Sequence, residues 1–280
     1  MGEQTVLITG TSTGIGLEIA LGCARAGWRT VATMRDVSRA ERLLAAADTA
    51  GVADLIDVRR LDVTEPGAVD TCVEEVTSTY GRLDAVVNNA GAGHLGTLEQ
   101  ESIDDIRAVM EVNFFGVLHV SRAALPHLRA SRGRLVTVSS VGGILGQPFN
   151  EAYCAAKFAV EGFMEALAPL AATTGVRVTL VEPGAVASEF IANVGIDADA
   201  AIDAAGVYGP ALRAYLARTG QAFAAAQSPA AAAAVVVAAL GDPTPPVRVQ
   251  TSDAARTFVG VKLADLDGGA VSRTTASWLV

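Results

Sequence analysis

The sequence predicts an α/β fold, with one parallel sheet covered by helices on both faces. Three observations carry this. Short β-rich runs alternate with longer helical patterns, as when parallel strands are joined by crossover helices. A glycine-rich turn, "TGTSTGIG", stands between the first strand and the first helix. No internal repeat or flexible linker interrupts the alternation, so residues 1–280 read as one domain.

"TVLITG" is a buried strand, and "IGLEIALGCARAG" a helix closing at Gly27. "WRTVATM" is the second strand. "SRAERLLAAADTAG" starts with a capping serine and ends with a glycine, as a helix does. "DLIDVRRLDV", "AVDTCVEEVTSTYG" and "LDAVVNNAG" read as strand, helix and strand. A long helix is expected from Ile103 to Arg129, bent near its end by Pro126. "GRLVTVSS" and "GVRVTLVEPG" are the fifth and sixth strands, joined by a helix from Ala152 to Thr173 that Pro169 would kink. After Pro183 the rhythm breaks. Residues 185–227 are alanine-rich and follow the carboxyl end of the sixth strand, where open α/β sheets bind ligands. Their apolar content favours a substrate lid over a disordered insertion. Ser228 and Pro229 open another helix, "VRVQT" is a short strand, and residues 251–280 read as a polar tail.

Composition narrows the class. At 51% hydrophobic residues the chain can fill a sizeable core, and a net charge of −9 with no basic run argues against a nucleic-acid surface. Cys23, Cys72 and Cys154 are odd in number and far apart, which disfavours a disulfide framework or a zinc site. No metal site is expected, and His94 reads as a loop residue. "MGEQTVLITG" carries no basic leader. The longest apolar run, Ala230 to Leu240, has 11 residues and is too short for a transmembrane segment. The expected location is cytoplasmic.

Gly10, Gly14 and Gly16 suit a tight turn that brings backbone N–H groups at a helix amino terminus onto a cofactor diphosphate. Their spacing differs from G-x-G-x-x-G. Asp62 and "NNAG" (Asn88 to Gly91) fall at the ends of the third and fourth strands, along the same sheet edge. Asp62 alone would read as a turn-former. In "YCAAK", Tyr153 and Lys157 are four apart and share a helix face, an arrangement that is usually mere surface. Ser140 at the end of the fifth strand and Asn113 inside an apolar helix set this pair apart, since a buried mid-helix Asn needs a purpose. A free tyrosine titrates near pH 10; bringing it to neutrality takes about 4 kcal/mol, which a nearby lysine could supply. General acid–base catalysis works best there.

Together, T-G-x-x-x-G-x-G, "NNAG", Ser140 and Y-x-x-x-K resemble the short-chain dehydrogenase/reductases, to about residue 250. The resemblance implies a Rossmann fold with a seven-stranded parallel sheet and a catalytic tetrad of Asn113, Ser140, Tyr153 and Lys157. Tyr153 would donate the proton in reduction and accept it in oxidation. Lys157 would lower its pKa and hold the nicotinamide ribose, Asn113 would hold a water of the proton relay, and Ser140 would position the carbonyl. The implied cofactor set is Gly10, Ser12, Gly14, Ile15, Gly16, Arg35, Asp62, Val63, Asn89, Ala90, Gly91, Tyr153 and Lys157. In "EPGAVASEF" it adds Pro183, Gly184, Val186 and Ser188.

In "VATMRD", Met34 stands where an NAD-binding fold presents an acid to the ribose, and Arg35 follows. Arg35 could fork onto a 2′-phosphate, or form a loose surface pair with Asp36. The phosphate reading makes NADP(H) the preferred cofactor, with NAD(H) still possible because Thr13 replaces a second basic contact. "VATMRD", "NNAGAGHLGTLE", "SSVGGILGQPFNEAYCAAKFAVEG" and "YLARTGQAF" are similar to the estradiol 17β-dehydrogenase and photoreceptor-type retinol dehydrogenase branch. That branch implies NADP(H) and flat, apolar alcohols and ketones. Arg218 stands in place of its lid histidine, the tail lacks its acid, and an alanine replaces its aromatic after the last strand, which argues against estrogen.

Substrate candidates are Ser140, Phe190, Tyr215, Arg218 and Phe223. The apolar lid residues, Val186, Tyr208 and Leu212 among them, could equally pack the lid onto the sheet, and Arg218 could be a solvated helix charge. The expected partner is a small carbonyl or alcohol, and the resemblance implies a homodimer or homotetramer. Alternative functions are reduction of a 3-oxoacyl thioester and a nucleotide-binding sensor or scaffold without turnover.

Overall fold

The computed structural model describes residues 4–189, 197–224, 226–265 and 269–279. The strands are β1 (Thr5–Thr9), β2 (Arg29–Met34), β3 (Ile56–Arg60), β4 (Ala85–Asn88), β5 (Arg134–Val138), β6 (Arg177–Glu182) and β7 (Arg248–Gln250). They form one seven-stranded sheet in the order β3-β2-β1-β4-β5-β6-β7, every pairing parallel. The order reverses between β1 and β4, which opens a crevice at their carboxyl ends.

Alternation along β1 sets the two faces. Leu7 points into one core, with Val69, Val73 and Val76 of α3 (Pro66–Tyr80), Val120 and Leu128 of α5 (Gly116–Ser131), and Val160 and Met164 of α6 (Glu151–Ala172). Val6 and Ile8 point into the other. There they meet Leu17, Ile19 and Leu21 of α1 (Gly14–Arg25), Leu43 of α2 (Glu41–Thr49), and Val236 and Leu240 of α9 (Pro229–Gly241). The alanine–valine run of α9 is thus a buried helix. Gly22 of α1 lets it approach: an added Cβ would fall 2.8 Å from Val237.

The expected helix from Ile103 is not uniform. α4 (Ile103–Met110) passes into a π-helical turn at Glu111–Phe115 before α5 continues to Ser131. A Ser102/Asp105 capping box starts it, and both Pro126 and Pro169 lie inside helices.

The excursion after β6 closes on itself. Ala187 N–H donates to the Gln227 carbonyl at 2.9 Å, and Gln227 N–H returns to the Ala185 carbonyl at 3.2 Å. Between these anchors lie α7 (Ala198–Ala204) and α8 (Gly209–Ala224). Phe190 lies outside the described residues.

The polar tail is corrected: residues 253–276 include α10 (Asp253–Leu263) and α11 (Gly269–Ala276). Ala255 and Val259 of α10 pack on Val141, Ile144 and Leu145. Trp278 joins Ile202, Leu212 and Tyr215 in another buried cluster. A few apolar residues spaced along a polar segment suffice for docking, so average polarity misled.

Candidate active site

The glycine turn is built for close approach. Gly10 and Gly14 have φ of +72° and +60°, where a side chain strains the backbone. A Cβ on Gly10 would fall 2.8 Å from Ala90 Cα, one on Gly14 3.3 Å from Ser188 Cβ, and one on Gly16 2.1 Å from the Gly10 carbonyl oxygen. Asn89 locks the turn: its Nδ2 donates to the Thr9 and Gly10 carbonyls, both at 2.9 Å. Its side chain therefore supports the site from behind. Ser12 and Ile15 are half-buried around the turn.

The amino end of α1 has no side-chain cap and no acid in its first turn. Its N–H groups and dipole are available to an anion, so these residues fit the diphosphate of a dinucleotide.

Arg35 is exposed just beyond β2, next to buried Met34. Asp36 accepts the Ser38 N–H at 3.0 Å and its hydroxyl at 2.7 Å. Among the described residues no ion pair holds Arg35, so the loose pair with Asp36 is absent. Asp62 makes the turn that its position suggested, accepting the Thr64 N–H at 3.0 Å and hydroxyl at 2.8 Å. Burial pushes its carboxyl up, but those bonds, with Arg35 and Arg60 nearby, hold it below the ordinary carboxylate range. Val63 is buried, and its carbonyl faces His119 Nδ1 at 3.0 Å. Across the crevice, the Pro183 carbonyl accepts from Val141 N–H at 2.9 Å. Gly184 sits against Ala255, and Val186 is buried at the excursion's base. Arg42 of α2 pairs with Glu189, next to Ser188.

The tetrad converges. Gly142 lies between Ser140 and Tyr153, since its added Cβ would be 3.3 Å from both Ser140 Oγ and Tyr153 Cε1. Ser140 Oγ accepts the Gly142 N–H at 3.0 Å. Lys157 is 4% exposed, with Nζ donating to the Val138 carbonyl at 3.1 Å. Asn113, fully buried in the π turn, donates from Nδ2 to the Ala92 and Val109 carbonyls at 3.0 and 3.1 Å. Its Oδ1 accepts Ala92 N–H at 3.2 Å. The amide thus pins the loop after β4, leaving acceptor capacity on Oδ1 for a water.

Two opposing influences act on the Tyr153 phenol. Burial pushes the phenol up to about 12, with the Ser140 hydrogen bond opposing. Burial also pushes the Lys157 ammonium down to about 8, with Glu161 opposing. Lys157 Nζ lies 5.8 Å from the centre of the Tyr153 ring and donates to a backbone carbonyl.

Around this centre, Phe149 holds a left-handed φ of +58°, a strained state for a bulky side chain. It packs on Tyr215, ring centres 5.6 Å apart. Asn150 Nδ2 donates to the Tyr215 hydroxyl at 2.7 Å, tying α8 to the start of α6. Arg218 is exposed, with its guanidinium over the Trp278 ring at 4.5 Å. Phe223 is half-buried, while Tyr208 is 37% exposed. His94 Nε2 contacts the Glu101 carboxylate. Among the described residues no cluster of His, Cys, Asp and Glu is suited to a metal.

The sequence reading missed Asn150, Glu161 and Arg248. Glu161 was accessible, four residues after Lys157 on the same helix face. So was another signal: the chain has only two lysines, Lys157 and Lys262, among 21 basic residues.

A parallel sheet with this strand order, a glycine turn at its crevice and a Ser–Tyr–Lys cluster beside it define the class. The short chain dehydrogenase family profile matches residues 4–199, and the chain belongs to that family of oxidoreductases. It is 37% identical over 286 residues to bovine (Bos taurus) retinol dehydrogenase 8, spanning 97% of this chain and 89% of that one. Human 17-beta-hydroxysteroid dehydrogenase type 1 is 37% identical over 275 residues, spanning 96% and 83%. A solved short-chain dehydrogenase from Streptomyces avermitilis superposes with a TM-score of 0.77 at 29% identity, covering 98% of this chain and 97% of its own. No helix among the described residues is long and apolar enough to cross a membrane.

Proposed function

We propose that the chain is an NADP(H)-preferring oxidoreductase that interconverts a ketone or aldehyde and an alcohol on a bulky apolar substrate. The observation that carries this is the convergence of Ser140 and Tyr153 at Gly142, above buried Lys157. NADP(H) supplies or accepts the hydride when bound. The glycine turn and the open end of α1 hold the diphosphate, with Ser12 and Ile15 lining the turn. Arg35 holds the 2′-phosphate. Asp62, Val63, Ala90 and Gly91 line the adenosine side; Pro183, Gly184, Val186 and Ser188 line the nicotinamide side.

In reduction, the Ser140 hydroxyl donates to the carbonyl oxygen and Tyr153 delivers its proton there as negative charge develops. A phenol with a high pKa is protonated at neutrality, the form that donation requires. The charged Lys157 then favours the phenolate left behind, and a water on Asn113 returns the proton.

Residues 185–227 act as the lid. Retinoid- and steroid-handling relatives support a flat apolar substrate, and Phe149, Leu212 and Tyr215 give the lid an apolar underside. Phe158, Phe163 and Leu170 on α6 are exposed, a patch that a second subunit would cover, as in a homodimer or homotetramer. The proposed setting is the cytoplasm.

The test is NADPH consumption across steroid, retinoid, polycyclic and 3-oxoacyl thioester carbonyls. Turnover of apolar ketones is expected. Turnover of thioesters alone would replace this reading with thioester reduction, and NADPH binding without turnover would replace it with a sensor.

A further inference from the structure

Behind Lys157 lies a buried charge cluster that the chemistry above does not use. Glu161, one turn further along α6, is 3% exposed, and Glu182, the last residue of β6, is fully buried. Arg248 of β7 bridges them: its Nε donates to Glu161 Oε2 at 2.9 Å and lies 3.4 Å from Glu182 Oε1. Its Nη2 reaches the partly exposed Glu165 carboxylate. Gln250 Nε2 donates to Glu182 Oε2 at 2.9 Å. One guanidinium therefore serves three carboxylates, two of them out of water.

A cluster like this is a poor way to hold a sheet to a helix. Taking carboxylates out of water costs several kcal/mol each, and an apolar contact of the same size is usually as stable. Burial indeed pushes both the Glu161 and Glu182 carboxyls above their ordinary range, and Glu161 adds to the rise at Glu182. The sites that a carboxylate here serves are its neighbours. An added Cβ on Gly143 would fall 2.8 Å from Ser139 Oγ, 2.9 Å from Glu161 Cγ and 3.2 Å from the Lys157 carbonyl oxygen. The turn carrying Ser140 thus rests directly on Glu161 and on the helix turn carrying Lys157.

We propose that Glu161 is a positioning residue: its carboxylate, fixed by Arg248 between β6 and β7, keeps the Lys157 ammonium charged and seats the Ser139–Gly143 turn, so that Lys157 and Ser140 face Tyr153 together. This rests on the Tyr–Lys proton chemistry proposed above. The charged and titratable groups around Lys157 and Glu161 are Tyr153, Cys154 and Glu165 on α6, Glu182 on β6 and Arg248 on β7. From β5 the Val138 carbonyl accepts from Lys157 Nζ, and the Asn113 amide and Lys157 Nζ both stand against Gly91. Removing the Glu161 charge leaves the ammonium to pay its desolvation unaided.

The experiment reads the lysine directly. With only two lysines, carbon-13 labelling at Cε gives two NMR signals, and exposed Lys262 is the internal control. In Glu161→Gln the Lys157 titration should move to lower pH by about one unit, a tenfold change in its ionisation constant. The alkaline limb of ketone reduction should move with it, while Glu161→Asp restores most of both. An unchanged Lys157 titration in folded Glu161→Gln overturns the proposal. Should that variant fail to fold, Glu161→Asp decides: its carboxylate sits one methylene further back, and a shift of the same sign but smaller size is required. Failure of the Tyr–Lys reading looks different. There, Tyr153→Phe would keep its turnover, whatever Lys157 does.

Discussion

Lys157 Nζ lies 5.8 Å from the centre of the Tyr153 ring, yet its hydrogen bond goes to the Val138 carbonyl at 3.1 Å. The lysine sits under the phenol ring and spends its hydrogen bond on β5. Burial pushes the phenol up to about 12, and in the proposed reduction it gives its proton to the substrate oxygen.

That makes Tyr153→Phe the sharpest substitution. It should cut turnover about 10³-fold, in the range for loss of a general acid, with the NADPH dissociation constant nearly unchanged. Stopped-flow turnover and fluorescence titration check it; retained activity would remove Tyr153 from the mechanism.

Arg35→Ala should weaken NADPH binding by about 10–100-fold, the worth of a charge-assisted contact of ~1.5–3 kcal/mol. NADH should be affected less than about twofold, since it carries no 2′-phosphate for Arg35 to meet. Calorimetric titration of both cofactors decides it, and equal losses would mean that Arg35 is not the phosphate contact.

Lys157 also makes stability depend on pH. Burial disfavours the charge and pushes its ammonium down to about 8 in the fold, from 10.5 ordinarily. Between these values the unfolded chain binds more protons than the folded one, so stability rises with pH. Across that window the wild type should gain about 3 kcal/mol relative to Lys157→Met. Urea melts at about pH 7.5, 9 and 10.5, which span the window, are the measurement; parallel curves would contradict it.

Trp278→Ala removes the ring beneath Arg218 and a wall of the cluster holding Tyr215. The expected cost is up to about 3 kcal/mol, from lost burial and a lost cation–π contact. KM for bulky ketones should rise several-fold with NADPH binding unchanged. An unchanged KM would separate the tail from substrate recognition.

The sheet was legible because parallel strands buried on both faces read as apolar runs, and "TVLITG" and "LDAVVNNAG" are unmistakable in that respect. The glycine turn and Y-x-x-x-K were legible because close approach and shared helix faces leave fixed spacings. Three features were not. The π turn at Asn113 follows from side-chain bonds to Ala92, 21 residues away. The Glu161–Arg248 bridge spans 87 residues. The docking of α10 and α11 depends on a few apolar residues whose partners lie across the chain. Local pattern carries no information about such pairings until the fold supplies the distance.

The paired backbone of Ala187 and Gln227 gathers the two ends of the excursion, and Asn150 ties its α8 to α6 through Tyr215. With the ends held together, lengthening the loop between them costs the sheet only about 0.6 kcal/mol per doubling of length. Under the proposed reading, grafting residues 197–224 from a relative, with its counterparts of Asn150 and Trp278, should change which ketones are turned over and keep NADPH binding.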